Sequence, residues 1–253
     1  MSVKPLTLLF AVMSFFVCLV PLWAEQADPP TKHYDVKRAA YPPVIDGVVN
    51  EAAWKACVPI EMNAAREGEK ASQKTTARLM WDDRFLYISF ECQDSHVWST
   101  MTERDLPIYN EEVVEAFINP DGDRESYLEL EVNPLNTLWD GFILRKGARR
   151  DGMLAWNSLG IRRAVFVDGT LNDKSDADGG WSVEIAVPLE DIVDGRDTPP
   201  KPGDRWRLNL YRIDLPQGAG VRGEYYAWSP ISGGTFHDPD RFGEIEFSSE
   251  LLK

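Results

Sequence analysis

Three glutamates stand where strands are expected: Glu115 in VVEAFINP (113–120), and Glu129 and Glu131 in SYLELEVNP (126–134). A carboxylate there can accept hydrogen bonds from hydroxyls or ligate a hard cation. Glu115 and Glu131 as a pair at a set separation could also act as acid and base on a glycosidic bond. Alternation decides what stands beside them. Successive side chains of a strand point to opposite faces. Val114, Ala116 and Ile118 therefore share one face, and Val113, Glu115 and Phe117 the other. Leu128, Leu130 and Val132 oppose Tyr127, Glu129, Glu131 and Asn133. In 207–213, Leu208 and Leu210 oppose Arg207, Asn209, Tyr211 and Ile213. Each strand thus has one apolar face and one that mixes acids, amides and aromatic rings. Flat apolar surface beside fixed acceptors and donors suits a sugar. A merely solvated face is the plain alternative. Arg212 breaks the pattern by falling on the leucine face, which calls for a bulge or an acid partner at the strand end.

Other groups carry less chemistry. His33, His96 and His237 lie far apart with no ligand spacing and read as surface or loop residues. A haem held by Met80 or Met101 with His96 or His237 has no spacing to favour it. The acidic stretches DGDRE (121–125) and NDKSDADGG (172–180) have the composition of calcium loops without the EF-hand order. Trp54, Trp81, Trp181 and Trp206 read as core, and Trp98, Trp139, Trp156 and Trp228 as further sugar contacts. There is no Gly-rich phosphate loop and no basic stripe.

The elements that position these residues read as short strands between turns. Period-two runs rich in β-branched and aromatic residues recur from His33 to Ser248. Asp121-Gly122, Asp168-Gly169, Gly179-Gly180 and Pro202-Gly203 punctuate them. Helix signals are confined to short turns near 49–55 and 188–193. The expected fold class is all-β: an antiparallel, jelly-roll-like β-sandwich of about ten strands. It fills residues 33–253 as a single domain.

Residues 1–24 read as a secretory signal: Lys4, the apolar run Leu6–Val20, and PLWA ending in a small residue. The run is short for a membrane span, which needs ~20 apolar residues. Residues 25–32 read as a flexible lead-in, so the protein is expected to be exported, to a periplasm or beyond the cell, without stable membrane insertion. Losing Lys4 and no acid makes the mature chain one charge more negative than the −14 of the whole. Such acidity excludes a nucleic-acid partner, since a phosphate backbone needs a basic patch. Cys57 and Cys92 remain, and either a disulfide or two buried thiols fits them.

Four stretches, in order, resemble the family 9 carbohydrate-binding modules: PPVIDGVVNEAAW (42–54), ARLMWDDRFLYISFECQD (77–94), YNEEVVEAFINP (109–120) and SPISGGTFHDPDRFGEIEF (229–247). The resemblance implies a non-catalytic sandwich that holds a glucose-type sugar or glycan end between two aromatic rings. It puts those rings at Tyr109 and Phe236 and an acidic acceptor at Glu115. It puts a polar position at Tyr211, and Glu131 where the family carries an arginine. The family's clamp is typically two tryptophans, so a tyrosine and a phenylalanine offer less stacking area. The resemblance implies no cofactor beyond a structural calcium. The sequence leaves oligomeric state open.

Overall fold

The computed structural model describes residues 32–145, 153–154, 156–192, 198–218, 220 and 222–252. Residues 1–24, read as a secretory signal, and the expected lead-in up to residue 31 lie outside the described residues. The strands are β1 (His33–Ala39), β2 (Ile60–Ala64), β3 (Thr75–Trp81), β4 (Phe85–Cys92), β5 (Val113–Asn119), β6 (Tyr127–Val132), β7 (Leu138–Ile143), β8 (Met153–Leu154), β9 (Arg162–Asp168), β10 (Gly180–Pro188), β11 (Arg205–Asp214), β12 (Glu224–Ala227) and β13 (Gly243–Leu252). β2 and the two-residue β8 are the strands that alternation did not pick out. A five-residue helix, α1 (Ala52–Ala56), falls within the expected turn at 49–55. The turn expected after Pro188 is a 3-10 turn, Leu189–Asp191.

Hydrogen bonding runs β8-β7-β6-β5-β11-β12-β2-β3-β4-β10-β9, and β13 and β1 bridge β11 to β3 by a second route. One layer is β8-β7-β6-β5-β11, the other β2-β3-β4-β10-β9. Val114, Ala116, Leu128, Leu130, Leu208 and Leu210 of the first meet Ile88, Phe90, Val183 and Ile185 of the second in one core. Burying one such Leu or Ile side chain contributes about 1.5–3 kcal/mol. Every pairing is antiparallel except the two made by β1, which runs parallel to β13 and to β3. A parallel neighbour needs a crossover rather than a hairpin, and the stretch holding α1 and β2 separates β1 from β3. The sheet is therefore mixed at β1.

α1 drives Trp54 into a second, smaller cluster with Met80 and Tyr87. Trp54 Nε1 donates to Glu184 Oε1 at 2.7 Å, and Glu184 Oε2 accepts from the amides of Asp46 and Gly47. Gly47 has φ +90°, and a Cβ there would stand 2.6 Å from the Val165 backbone carbon. This ties the PPVIDGVVNEAAW stretch to β10. Cys57 and Cys92 are both free and buried.

Arg212 keeps β11 in unbroken register with β5, so no bulge explains it. It is fully buried, and acids answer it. Nη2 donates to Asp94 Oδ2 at 2.9 Å and lies 3.4 Å from Asp214 Oδ1. Nη1 donates to Thr75 Oγ1 and the Gln93 carbonyl. Glu112 joins the group, with carboxylate oxygens of Asp94, Glu112 and Asp214 within 4.8 Å of one another. Burial, with Asp94 nearby, pushes Glu112 up to about 10. Burial also pushes Asp214 up to about 7, against the pull of Arg212.

An acid whose folded pKa is raised stabilises the fold fully below its unfolded pKa, and that contribution is lost as pH rises through the folded value. The window here opens near pH 4 and extends to about 7 for Asp214 and about 10 for Glu112. Asp123 and Glu224, which are held low, are already ionised in both states above pH 5, and His237, held low by burial, opposes the fall only up to its unfolded pKa of about 6.5. Thermal melts from pH 5 to 8 are expected to show a falling midpoint, with the fall flattened in Asp214→Asn. A parent midpoint that rises across that range contradicts the assignment.

Candidate functional site

Register places the polar face. Tyr211 of β11 lies opposite Glu115 of β5, Glu115 opposite Glu131 of β6, and Glu131 opposite Trp139 of β7. One row thus crosses four strands. The next row is Asn209, Phe117, Glu129 and Gly141. Gly141 is what lets Trp139 lie down: a Cβ there would fall 2.6 Å from the indole Cη2. Like charges directly opposite each other cost stability, so the Glu115–Glu131 pair works against the sheet that carries it.

This face is not solvated. All seven residues of β5 and all six of β6 are buried. Loops roof the face. Phe242 packs edge-on against Phe117 and Tyr127. Phe236 stacks on Tyr211 with centroids 4.2 Å apart and planes 8° apart, while the Tyr211 hydroxyl donates to the Phe236 carbonyl. His237 Nδ1 shares a 2.7 Å hydrogen bond with the Tyr127 hydroxyl. Asp238 Oδ2 accepts from both the amide and the hydroxyl of Ser232, closing the loop on itself. On the other side, a 3-10 turn (Ile108–Asn110) carries Tyr109. Glu111 just after it accepts from the amides of Thr100 and Met101 and from the Thr100 hydroxyl.

Between these loops a cavity of about 580 Å³ opens over the acidic row. Of the five residues expected at the site, Tyr109, Glu115, Glu131 and Phe236 line it. Tyr211 does not. It is fully buried beneath Phe236, and its hydroxyl is occupied by Phe236 and Asn209. Its ring supports that of Phe236 and does not line the cavity. Phe236 in turn has one face covered by Tyr211.

The remaining lining was legible in the sequence only in part. Glu129 and Phe117 share the expected face, so alternation pointed to them. Trp139 lines the cavity, as one of the four tryptophans read as sugar contacts. Of the other three, Trp228 is buried in the core, Trp156 packs against it, and Lys174 lies over the Trp98 ring. His237 was read as a loop residue, and it lines the cavity with its Nδ1 3.8 Å from Glu129 Oε2. Arg66 and Tyr225 come from β2's exit and from β12, and no local signal marks them.

Glu115, Glu129 and Glu131 are all buried, with one oxygen of each within 4.8 Å of the others. Burial, reinforced by Glu129, holds the Glu115 carboxyl well above the usual carboxylate range. Burial lowers the pKa of His237. The floor of the cavity can thus offer acceptors and, from protonated carboxyls, donors.

In the acidic loops 121–125 and 172–180, carboxylates bind amides of the surrounding loops. Asp123 Oδ1 accepts from the amides of Glu125 and Ser126 and from Asn119 Nδ2. Asp178 accepts from the amides of Val97 and Thr170. Met80 is fully buried in the Trp54 cluster, and the Met101 carbonyl accepts from Asn133 and Thr137. No helix among the described residues is long and apolar enough to cross a membrane.

Known proteins share this architecture. A family 9 carbohydrate binding module from Caldicellulosiruptor kristjanssonii, solved with cellotriose, superposes with a TM-score of 0.60 at 19% identity, over 86% of this chain and 94% of that one. The module from the same organism solved with glucose gives 0.54 at 19% identity, over 85% and 96%. By sequence, an extracellular protein of Arthroderma benhamiae is 26% identical over 82% of this chain and 92% of its own length. Endo-1,4-beta-xylanase A of Thermoanaerobacterium saccharolyticum is 25% identical over 80% of this chain, which spans 15% of that enzyme. The sequence pattern of the carbohydrate family 9 binding domain-like family matches residues 45–250. The chain belongs to that family of carbohydrate-binding domains.

Proposed function

We propose that this chain binds a mono- or oligosaccharide in the cavity over the Glu115–Glu131 row and does not transform it. One observation carries the reading: aromatic rings from separate loops and strands, Tyr109, Trp139 and Phe236, border a floor of buried carboxyl groups. Rings take the C–H faces of a sugar, and carboxyls take its hydroxyls. Glu115 accepts hydroxyl hydrogen bonds and Glu131 orients the ring. Tyr211 acts from below, by holding Phe236 in place.

Binding rather than catalysis is supported by the grouping of the acids. A glycosidase separates two carboxyls by about 5–9.5 Å on either side of the bond it cuts. Here one oxygen from each of three carboxyls, all on the adjacent strands β5 and β6, lies within 4.8 Å of the others. The relative solved with cellotriose supports a sugar ligand, and the extracellular relative supports export by residues 1–24.

Calorimetric titration with glucose, cellobiose and cellotriose, with and without Ca²⁺, tests the reading. Saturable binding to the parent is expected, weakened about tenfold or more in Tyr109→Ala. Parent and variant that bind alike would place the ligand elsewhere. Release of reducing sugar from an oligosaccharide, abolished in Glu115→Gln, would make the protein an enzyme.

A further inference from the structure

His237 is the one histidine in the lining of the cavity, and its two ring nitrogens stand in different surroundings. The backbone on either side of it is held. The Phe236 carbonyl accepts from the Tyr211 hydroxyl and the Asp238 amide, and Asp238 Oδ2 accepts twice from Ser232. The imidazole leans on the Phe117 and Tyr127 rings, with centroids 5.4 and 6.2 Å away. Nδ1 is 2.7 Å from the Tyr127 hydroxyl. Nε2 makes no hydrogen bond with a described residue, and the side chain is 33% exposed.

The tyrosine decides which nitrogen carries the hydrogen. A neutral imidazole has one N–H and one bare nitrogen, and the hydrogen-bond network assigns them. Tyr127 is fully buried, and its hydroxyl bonds to no other described residue. Were Nδ1 to donate to the hydroxyl oxygen, the hydroxyl hydrogen would be sealed in without an acceptor, which is costly. The hydroxyl therefore donates to a bare Nδ1, and the ring's hydrogen sits on Nε2. A second proton would go to Nδ1, on the side of Glu129 Oε2 at 3.8 Å, so Nε2 keeps its hydrogen in either charge state. The cavity thus holds a donor whose direction is set before a ligand arrives, and pre-set geometry lowers the ordering cost of binding.

Resting on the carbohydrate reading, we infer that His237 is a ligand-binding residue that donates its Nε2–H to a sugar oxygen, and that Tyr127 is the positioning residue behind it, holding the imidazole in that tautomer. Hydroxyl and ring oxygens of a sugar both accept such a bond.

NMR of nitrogen-15-labelled protein at pH 7, with cellotriose as the ligand, tests this. Long-range proton–nitrogen spectra separate a protonated ring nitrogen from a bare one, and the His237 signals are those missing from His237→Phe. The free protein is expected to show a bare Nδ1 and a protonated Nε2. Saturation with cellotriose should shift the Nε2 signal and leave Nδ1 nearly unmoved. His237→Phe, which keeps a flat ring, should weaken cellotriose binding about fivefold. That variant strands the Tyr127 hydroxyl, so Tyr127→Phe/His237→Phe, which removes both ends of the pair, should show the same loss with a thermal midpoint near the parent's. A hydrogen on Nδ1, an Nε2 signal unmoved by saturating sugar, or variants that bind as the parent does overturn the inference and leave the carbohydrate reading standing. A parent that binds neither glucose nor cellotriose overturns both.

Discussion

Arg212→Ala is expected to destabilise the domain by about 3–5 kcal/mol, the cost of leaving buried acids without their cation. The guanidinium is fully buried and donates to Asp94, Thr75 and Gln93. Removing it leaves Asp94 and Asp214 without the cation they share, with Glu112 crowded beside them. Domains are stable by only about 5–15 kcal/mol, so such a loss brings this one to the edge of folding. Chemical denaturation measures it. Arg212→Met, which restores much of the volume but not the charge, should be nearly as damaging. Arg205→Ala is the comparison: its ion pairs with Glu244 and Glu246 are exposed, and its midpoint should hardly move. A small effect for Arg212→Ala would mean that the three acids are content as neutral groups.

Phe236→Ala is expected to weaken sugar binding by about thirtyfold, or about 2 kcal/mol, the scale of a well-placed aromatic contact. The ring does two things. It lines the cavity, and it covers Tyr211 in a stack of 4.2 Å. Truncation removes a wall and opens the ring beneath. The loop itself should persist, because Asp238 clasps Ser232 and Arg66 holds the Gly233 carbonyl independently of the ring. The thermal midpoint should therefore fall far less than affinity does. Phe236→Leu, apolar but not flat, separates stacking from simple exclusion of water. If Leu restores affinity in full, stacking is not what the ring supplies.

Much of this was legible beforehand because strands write their faces locally. Alternation in VVEAFINP and SYLELEVNP separated Val114, Ala116, Leu128 and Leu130 from Glu115, Phe117 and Glu131, and the core follows that division. Tyr109 and Phe236 were placed by resemblance, and both reach one cavity. Tyr211 lies beneath the cavity lining, which the sequence does not show because alternation gives a face but not a depth. It shares the face of Glu115, yet Phe236 lies on top of it. His237 gave no signal, since a histidine beside a loop glycine pair looks like any surface histidine. The acidic composition of 121–125 and 172–180 has a local use that sequence alone does not separate from ion binding: short acidic side chains are also what turns use to bind their own amides, as Asp123 and Asp178 do.

The amino-acid sequence alone determined the strand class, the apolar side of each strand and the acids on the reverse, because these depend on a two-residue period within a single segment. Tertiary structure decided that the reverse side is roofed rather than wet, that Glu115, Glu131 and Trp139 stand in one row, and that Arg212 is answered by Asp94. Those outcomes depend on register and on loops returning from more than a hundred residues away, and no local pattern encodes a partner that the chain has yet to meet.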